Sequence, residues 1–211
     1  MFQLSEKDTD PRLLVMCMAV ATVLWFFAFF VPIGNFWVKI TLSSLCLAFL
    51  AVLFDGWPLP FRNLNRRAIF WGVLSALFLY GLFMAGNAIS RLLFPFAENQ
   101  VHAIYAKGDD TPGWVIGLVL FFVTSPAEEI FWRGFLQRRL SRRLGGFGGW
   151  IMAAVLYAAV HILSLNFMLV GAAGVAGLFW GFLYWRLKSL WPVVISHAVW
   201  TCLAFAVAPI H

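Results

Sequence analysis

Seven long apolar runs constrain the fold of this chain more than any other feature of its sequence. They cover about residues 13–32, 36–54, 68–86, 114–136, 149–165, 167–185 and 191–208. Each run is close to the roughly 20 residues that an α-helix needs to cross a bilayer. A helix also satisfies its own backbone hydrogen bonds in lipid. The runs therefore predict an all-α, polytopic integral membrane protein with about seven transmembrane helices in one bundle.

The composition excludes an ordinary soluble domain. Hydrophobic residues make up 63% of the 211 residues and charged residues 11%, whereas soluble domains are about 45–50% apolar and about 25% charged. The formal net charge is +6, but no polar segment combines basic residues with stacking aromatic residues. We therefore expect the lipid bilayer, and no nucleic acid, as a partner.

The basic residues predict the orientation of the spans. If seven spans alternate across the membrane, one side receives only Lys39, Arg91 and Lys107, and the other side receives all remaining Lys and Arg residues. The positive-inside rule then places the N-terminus in the cytoplasm, with the protein in the cytoplasmic membrane. We expect the first run to be a retained span, because no A-x-A-like cleavage site follows it. No repeat or linker interrupts the chain, so residues 1–211 are predicted to form a single transmembrane domain.

Few ionisable residues lie inside the predicted spans. The acids and histidines there are Glu128, Glu129, His161 and His197, and Arg133 lies close to the two glutamates. A charged side chain at the bilayer centre costs roughly 2.5–3.5 kcal/mol on insertion scales. Holding helices together needs only Ser, Thr or Asn, which are less costly to bury. Acids and histidines on three different spans therefore indicate a functional site.

Spacing separates the two adjacent glutamates. Glu129 and Arg133 are four residues apart, so they lie on one helix face and can form an ion pair. Glu128 lies about 100° around the helix and lacks that partner. Burial beside a like charge favours its protonated form, so this carboxyl can take a proton from water and return it to a leaving amine. One glutamate is predicted to be held by Arg133 and the other to be free for chemistry.

The two histidines leave two kinds of site open. Placed near Glu128, the imidazoles can orient a water molecule and stabilise an oxyanion. A glutamate and two histidines can equally ligate zinc. Tyr157 precedes His161 by four residues and lies on the same helix face, where packing is its expected role.

Other intramembrane proteolytic chemistries lack their motifs. No H-E-x-x-H metalloprotease motif occurs, and no aspartate lies within a predicted span. Ser125, in "VTSPAEE", lacks the glycine of a G-x-S-x motif, and Cys202 has no basic neighbour in the sequence. The remaining candidates for the chemistry are the glutamates and histidines.

The motifs around these residues resemble those of the CPBP family, the glutamic intramembrane proteases that include CAAX proteases and bacteriocin-processing (Abi) proteins. "EEIFWR" matches E-E-x-x-x-R, and "YAAVH" matches F-x-x-x-H with Tyr157 in place of the phenylalanine. A glycine-rich segment, residues 171–181, follows. "HAVWT" matches H-x-x-x-N or H-x-x-x-D, with Thr201 in place of the amide or acid. The resemblance covers about residues 113–205, which we expect to be the catalytic core.

The resemblance implies an intramembrane endopeptidase that needs no metal or other cofactor. Glu128 and His161 are expected to activate a water molecule that attacks a peptide carbonyl, with Glu129 and Arg133 as the supporting pair. His197 and Thr201 are expected to stabilise the oxyanion. The expected substrates are membrane-anchored or membrane-approaching polypeptides, either lipidated or precursors of secreted peptides. The alternatives are a non-catalytic immunity or interaction protein, a metal-dependent intramembrane protease and a small transporter that uses Glu128 as a proton relay.

Overall fold

The computed structural model describes residues 11–60, 63–108 and 111–210, which fold as a bundle of helices. The α-helices are α1 (Pro11–Phe29), α2 (Phe36–Asp55), α3 (Arg66–Leu93), α4 (Ala97–Tyr105), α5 (Gly113–Val119), α6 (Ser125–Glu129), α7 (Arg138–His161), α8 (Phe167–Leu187) and α9 (Trp191–Cys202). Three π-helical segments, Leu120–Thr124, Ile130–Gln137 and Leu203–Val207, continue α5, α6 and α9. The predicted all-α, polytopic architecture with about seven helices in a bundle is confirmed.

The predicted fourth and fifth spans form one long helical stretch, Gly113–Ser164, which is divided near its middle. Gly145 has φ +76° and ψ 165°, a conformation outside the helical region, within α7. Glycine adopts this conformation without the steric cost of a Cβ. The chain therefore turns at Gly145, and the parts before and after it correspond to two of the predicted spans. α1, α2, α3 and α8 are also long and apolar enough to cross a membrane, and residues 191–207 form a shorter apolar helix.

The basic segment between the fourth and fifth predicted spans is largely helical. Asp55, at the end of α2, accepts a hydrogen bond from Arg138 Nη2 at 2.7 Å and from Arg139 Nε at 3.0 Å. Asp55 and Arg139 are both almost fully buried. Buried charges are usually paired in this way, and the pairing attaches α2 to the start of α7. The sequence shows three charges here but not that they meet across 83 residues.

The stretch between the third and fourth apolar runs contains α4, which lies against α8. Gln100 connects the two helices, because its side-chain oxygen accepts from Met168 N at 3.0 Å and its carbonyl accepts from Asn166 Nδ2 at 2.7 Å. Asn166 also caps α8 by accepting from Leu169 N. Asparagine is a preferred N-cap residue. This polar stretch is thus a helix that hydrogen bonds attach to the bundle.

Two widened turns flank the two glutamates. Ser125 N–H bonds to the carbonyl of Leu120, five residues earlier, at the end of the first π-helical segment. The next residue, Pro126, has no N–H to donate and would clash with the carbonyl four residues before it in a regular α-helix. The wider turn accommodates the proline. The second π-helical segment begins directly after Glu129.

The helix that carries the glutamates lies at the centre of the bundle. α6 contacts α2 on one side and α9 on the other, and α7 packs along α8. Gly177 allows a close approach of α8 to α7, since an added Cβ would be 3.2 Å from Tyr157 Cδ1 and 3.3 Å from the carbonyl oxygen of Ala154. This packing places residues from α6, α7 and α9 around one space.

Candidate active site

Glu129 is the centre of a buried hydrogen-bond network. Its Oε1 lies 2.7 Å from Arg133 Nη1 and 2.7 Å from His197 Nδ1. Glu129 is fully buried, Arg133 is 2% exposed and His197 is 4% exposed. Glu129 and Arg133 thus form the ion pair that their spacing predicts. The spacing did not predict that His197, 68 residues away, would bond to the same carboxylate oxygen.

The orientation of His197 follows from this network. A carboxylate only accepts hydrogen bonds, so Nδ1 of His197 carries a proton when Glu129 is ionised. The imidazole also stacks on Trp180, with ring centroids 3.8 Å apart and an angle of 21° between the planes. The Arg133 guanidinium lies 5.5 Å from the centre of the same indole. Trp180 therefore holds His197 in one orientation and provides a π surface beside both basic groups.

Glu128 has different surroundings from Glu129. Its Oε2 accepts a hydrogen bond from the Tyr157 hydroxyl at 3.1 Å. Glu128 is 8% exposed and lines a cavity, whereas Glu129 does not. The two carboxylates thus have the separation that their positions on the helix predict. Tyr157 packs as expected and, in addition, contacts Glu128 through its hydroxyl.

His161 is held at both ring nitrogens. Its Nδ1 donates to the carbonyl of Tyr157 at 2.7 Å, and its Nε2 accepts from the indole N–H of Trp25 at 3.3 Å. The neutral ring therefore carries its proton on Nδ1. Trp25 is fully buried in α1. Only a weak signal in the sequence marks this residue, because Trp25 lies inside an apolar run and not at its end, where tryptophan is usual.

Thr201 lies beside His197, but its hydroxyl donates to the backbone and not into the cavity. Its hydroxyl donates to the His197 carbonyl at 2.9 Å, so the Ser125 hydroxyl, also 2.9 Å away, donates to Thr201. Threonine in a helix often makes this backbone bond four residues back. The predicted donation from Thr201 to an oxyanion requires this bond to break, and it stays a prediction.

Four of the six predicted site residues line one cavity of about 130 Å³, namely Glu128, His161, His197 and Thr201. Glu129 and Arg133 lie behind its wall. The cavity adjoins a larger chamber of about 440 Å³, and six residues border both spaces: Phe83, Ile104, Leu169, Ala172, Trp200 and Phe205. The chamber lies between α3, α4 and α8 and is almost entirely apolar. The cavity that contains these four side chains thus lies beside a large apolar space.

The zinc alternative requires three ligating side chains around one point. Among the described residues, no three His, Cys, Asp or Glu side chains are grouped in a way that could hold a metal ion. Instead, His197 bonds to Glu129 and His161 bonds to Trp25 and a backbone carbonyl. The side chains as placed therefore do not form a zinc ligand set.

Comparisons with known proteins support a protease. Residues 110–203, a little under half of the chain, match the family model described as type II CAAX prenyl endopeptidase Rce1-like. No characterised protein and no solved structure matches the chain. The matched residues include all six predicted site residues, and the match indicates a CAAX-type protease embedded in the membrane. Residues 110–203 are thus similar to the Rce1-like CAAX prenyl endopeptidases, and the predicted resemblance to the CPBP family is confirmed.

Proposed function

We propose that this protein is a glutamic intramembrane endopeptidase, with residues 113–205 of its single transmembrane domain as the catalytic core. The observation that carries the proposal is the cavity that brings Glu128, His161 and His197 together inside an apolar bundle. Three ionisable side chains from three separate helices line one small space, and such residues in membrane proteins usually mark a functional site.

In the proposed reaction, Glu128 takes a proton from a water molecule as the water oxygen attacks the peptide carbonyl. The carbonyl electrons move to its oxygen, which becomes an oxyanion. When the carbon–nitrogen bond breaks, Glu128 returns the proton to the leaving amine. His161 borders the same cavity and orients the water through Nε2, which then accepts from the water in place of the Trp25 N–H at 3.3 Å. General acid–base catalysis of this kind contributes typically 10²–10⁴-fold to a rate.

Glu129 and Arg133 are proposed to support the opposite side of the cavity. The ion pair holds a negative charge against Nδ1 of His197. The imidazole ring is held by this bond and by stacking on Trp180, and its doubly protonated form carries a hydrogen on Nε2 as well. Its Nε2–H would then be a donor for the oxyanion. Thr201 lines the same side of the cavity.

The apolar chamber supports a membrane-anchored substrate. Its lining consists mainly of Leu, Phe, Val, Ile and Ala side chains, and it borders the smaller cavity with Glu128 and the two histidines directly. A polypeptide that places its scissile bond in the cavity can place an apolar chain in the chamber. A lipidated protein and the apolar segment of a secreted-peptide precursor both meet this description.

We infer that the N-terminus faces the cytoplasm and that the site lies toward the cytoplasmic half of the bilayer. Contacts bring the basic connections to one end of the bundle, since Asp55 pairs with Arg138, and Trp191 Nε1 donates to the Pro60 carbonyl. The positive-inside rule assigns this end to the cytoplasm. An N-terminal epitope tag should therefore be protected from added protease in sealed right-side-out cells, and a C-terminal tag should be digested. The reverse pattern would contradict the orientation.

The function is tested with purified protein and membrane-anchored reporter polypeptides, some lipidated and some not, with products identified by mass spectrometry. Wild-type protein should cleave at least one reporter, with chelator present and no stoichiometric metal. Glu128→Ala and His161→Ala should remain folded, and each should lose cleavage by at least about 10²-fold. Cleavage retained by folded Glu128→Ala contradicts the mechanism. A biological activity that persists in both variants favours an interaction protein, and a requirement for bound zinc favours a metalloprotease.

A further inference from the structure

The hydroxyl of Tyr157 is a polar group at the cavity that the proposed mechanism does not use. It lies 3.1 Å from Glu128 Oε2, and Tyr157 borders the cavity. A phenol donates one hydrogen bond. In the resting protein, an ionised Glu128 is the natural acceptor for that hydrogen.

The position of this hydroxyl is fixed by the packing of its ring. The ring packs edge-on against Trp132 at 5.0 Å and against His161 at 4.9 Å, measured between ring centroids. The Arg133 guanidinium lies 4.9 Å from the ring centre on another side. Gly177 of α8 packs closely beside the ring, since an added Cβ would lie 3.2 Å from Tyr157 Cδ1. A donor held in place before the reaction is the arrangement that stabilises developing charge most effectively.

The chemistry moves negative charge within reach of this donor. When Glu128 takes the proton from water, its carboxylate becomes neutral and accepts a hydrogen bond less strongly. At the same moment a negative charge forms on the substrate carbonyl oxygen. In this mechanism only the attacking water separates the substrate carbonyl group from Glu128. A hydroxyl that rotates about its C–O bond can follow the charge from one acceptor to the other.

Position 201, by contrast, has no proton directed at the cavity. The Thr201 hydroxyl donates to the His197 carbonyl and is itself the acceptor for buried Ser125. Turning Thr201 toward substrate would break its own bond and disturb that of Ser125. An unpaired buried polar group costs about 1–3 kcal/mol. Tyr157 has no such obstacle, because its acceptor is neutralised by the reaction.

We propose that Tyr157 is a catalytic residue that donates its hydroxyl proton in a hydrogen bond to the oxyanion of the tetrahedral intermediate. The inference rests on the proposed function. In the step concerned, the water oxygen bonds to the carbonyl carbon, the water proton goes to Glu128, and the carbonyl oxygen accepts the hydrogen bond from Tyr157. On collapse, the C=O bond re-forms, the C–N bond breaks, Glu128 protonates the amine, and the tyrosine hydroxyl returns to Glu128.

The test compares wild type, Tyr157→Phe and Glu128→Gln on a cleaved reporter peptide, and on a phosphinic analogue of that peptide, whose tetrahedral anion imitates the intermediate. Tyr157→Phe keeps the ring and should lower kcat by about 10²–10³-fold, the usual cost of losing one oxyanion donor, with KM nearly unchanged. Its affinity for the phosphinic peptide should fall by a similar factor. Tyr80→Phe, which loses a bond to the Ala208 carbonyl away from the cavity, should behave as wild type.

The outcomes separate this inference from the proposed function. If wild type cleaves and Glu128→Gln does not, but Tyr157→Phe keeps kcat within about threefold, only the role of Tyr157 is overturned. The same holds if Tyr157→Phe loses kcat while its affinity for the phosphinic peptide is unchanged, because the hydroxyl then only positions Glu128. If wild type cleaves nothing, or Glu128→Gln cleaves normally, both proposals fall.

Discussion

Glu128 and Glu129 are adjacent in sequence but differ in every contact that matters for chemistry. Glu129 is shared by a guanidinium and an imidazole, so its charge is compensated in the protein interior. Glu128 has a neutral phenol as its partner and a cavity beside it. Helix geometry alone predicts the ion pair between Glu129 and Arg133 and the different directions of the two carboxylates. The partners of His197 and His161 depend on how distant helices meet, and no local pattern encodes them.

Trp25 provides a test at the level of single contacts. Its N–H holds Nε2 of His161 and so favours one ring orientation. Trp25→Phe keeps an aromatic ring but removes that donor, and a hydrogen bond of this type contributes about 0.5–1.5 kcal/mol. We expect kcat for reporter cleavage to fall about three- to tenfold with KM unchanged. Trp71→Phe, a matched change at a residue 39% exposed on α3, should have no effect. Equal losses in the two variants would argue against a specific role for Trp25.

The apolar runs predicted most of the elements, because a membrane requires long hydrophobic helices and the chain supplies them. The bounds of α3 and the helical stretch around residues 138–144 were not evident. α3 continues past its apolar run to Leu93. The stretch around residues 138–144 is basic, and Asp55 of α2 stabilises it by pairing with Arg138. The widened turn before Pro126 has a local cause that the sequence does show. α4 was not predicted because the polar Gln100 bonds to α8 and its N-cap residue Asn166, a contact that no local pattern shows.

The proposed binding of substrate in the chamber between α3, α4 and α8 can be tested by placing a large side chain in it from one helix. Gly86 of α3 borders the chamber, and a Cβ added there meets no atom within 4 Å. Gly86→Phe should raise KM about tenfold for a reporter with a long apolar chain, since each methylene displaced from the chamber loses about 0.8 kcal/mol. A reporter without that chain should be cleaved as before.

Gly81→Phe is the control on the same helix. Its Cβ position is equally open, but Gly81 does not border the chamber. It should leave both KM values unchanged. If Gly86→Phe and Gly81→Phe give the same KM for the apolar reporter, the chamber does not hold the substrate.

At the scale of the whole molecule, residues outside the matched region 110–203 also surround the site. Residues 110–203 supply Glu128, Glu129, Arg133, Tyr157, His161, His197 and Thr201. The cavity is nevertheless closed by Trp37 and Ile40 of α2 and by Phe83 of α3, and Trp25 of α1 contacts His161. The first three helices showed no chemical signal in the sequence because they contribute apolar walls to the cavity and the Trp25 N–H that bonds to His161. We therefore expect an isolated fragment without α1–α3 to lose cleavage of the reporter.

The most direct test of the account is a comparison of Glu128→Gln with Glu129→Gln in purified protein, measuring both the cleavage rate and the free energy of unfolding. Glu128→Gln should lose about 10²–10⁴-fold in kcat with its unfolding free energy equal or higher, because a neutral amide costs less to bury than a carboxylate. Glu129→Gln should lose about 3–5 kcal/mol of stability, since Arg133 is left buried without its countercharge. A destabilised Glu128→Gln that still cleaves, together with a stable and inactive Glu129→Gln, would contradict the assignment of the two carboxylates.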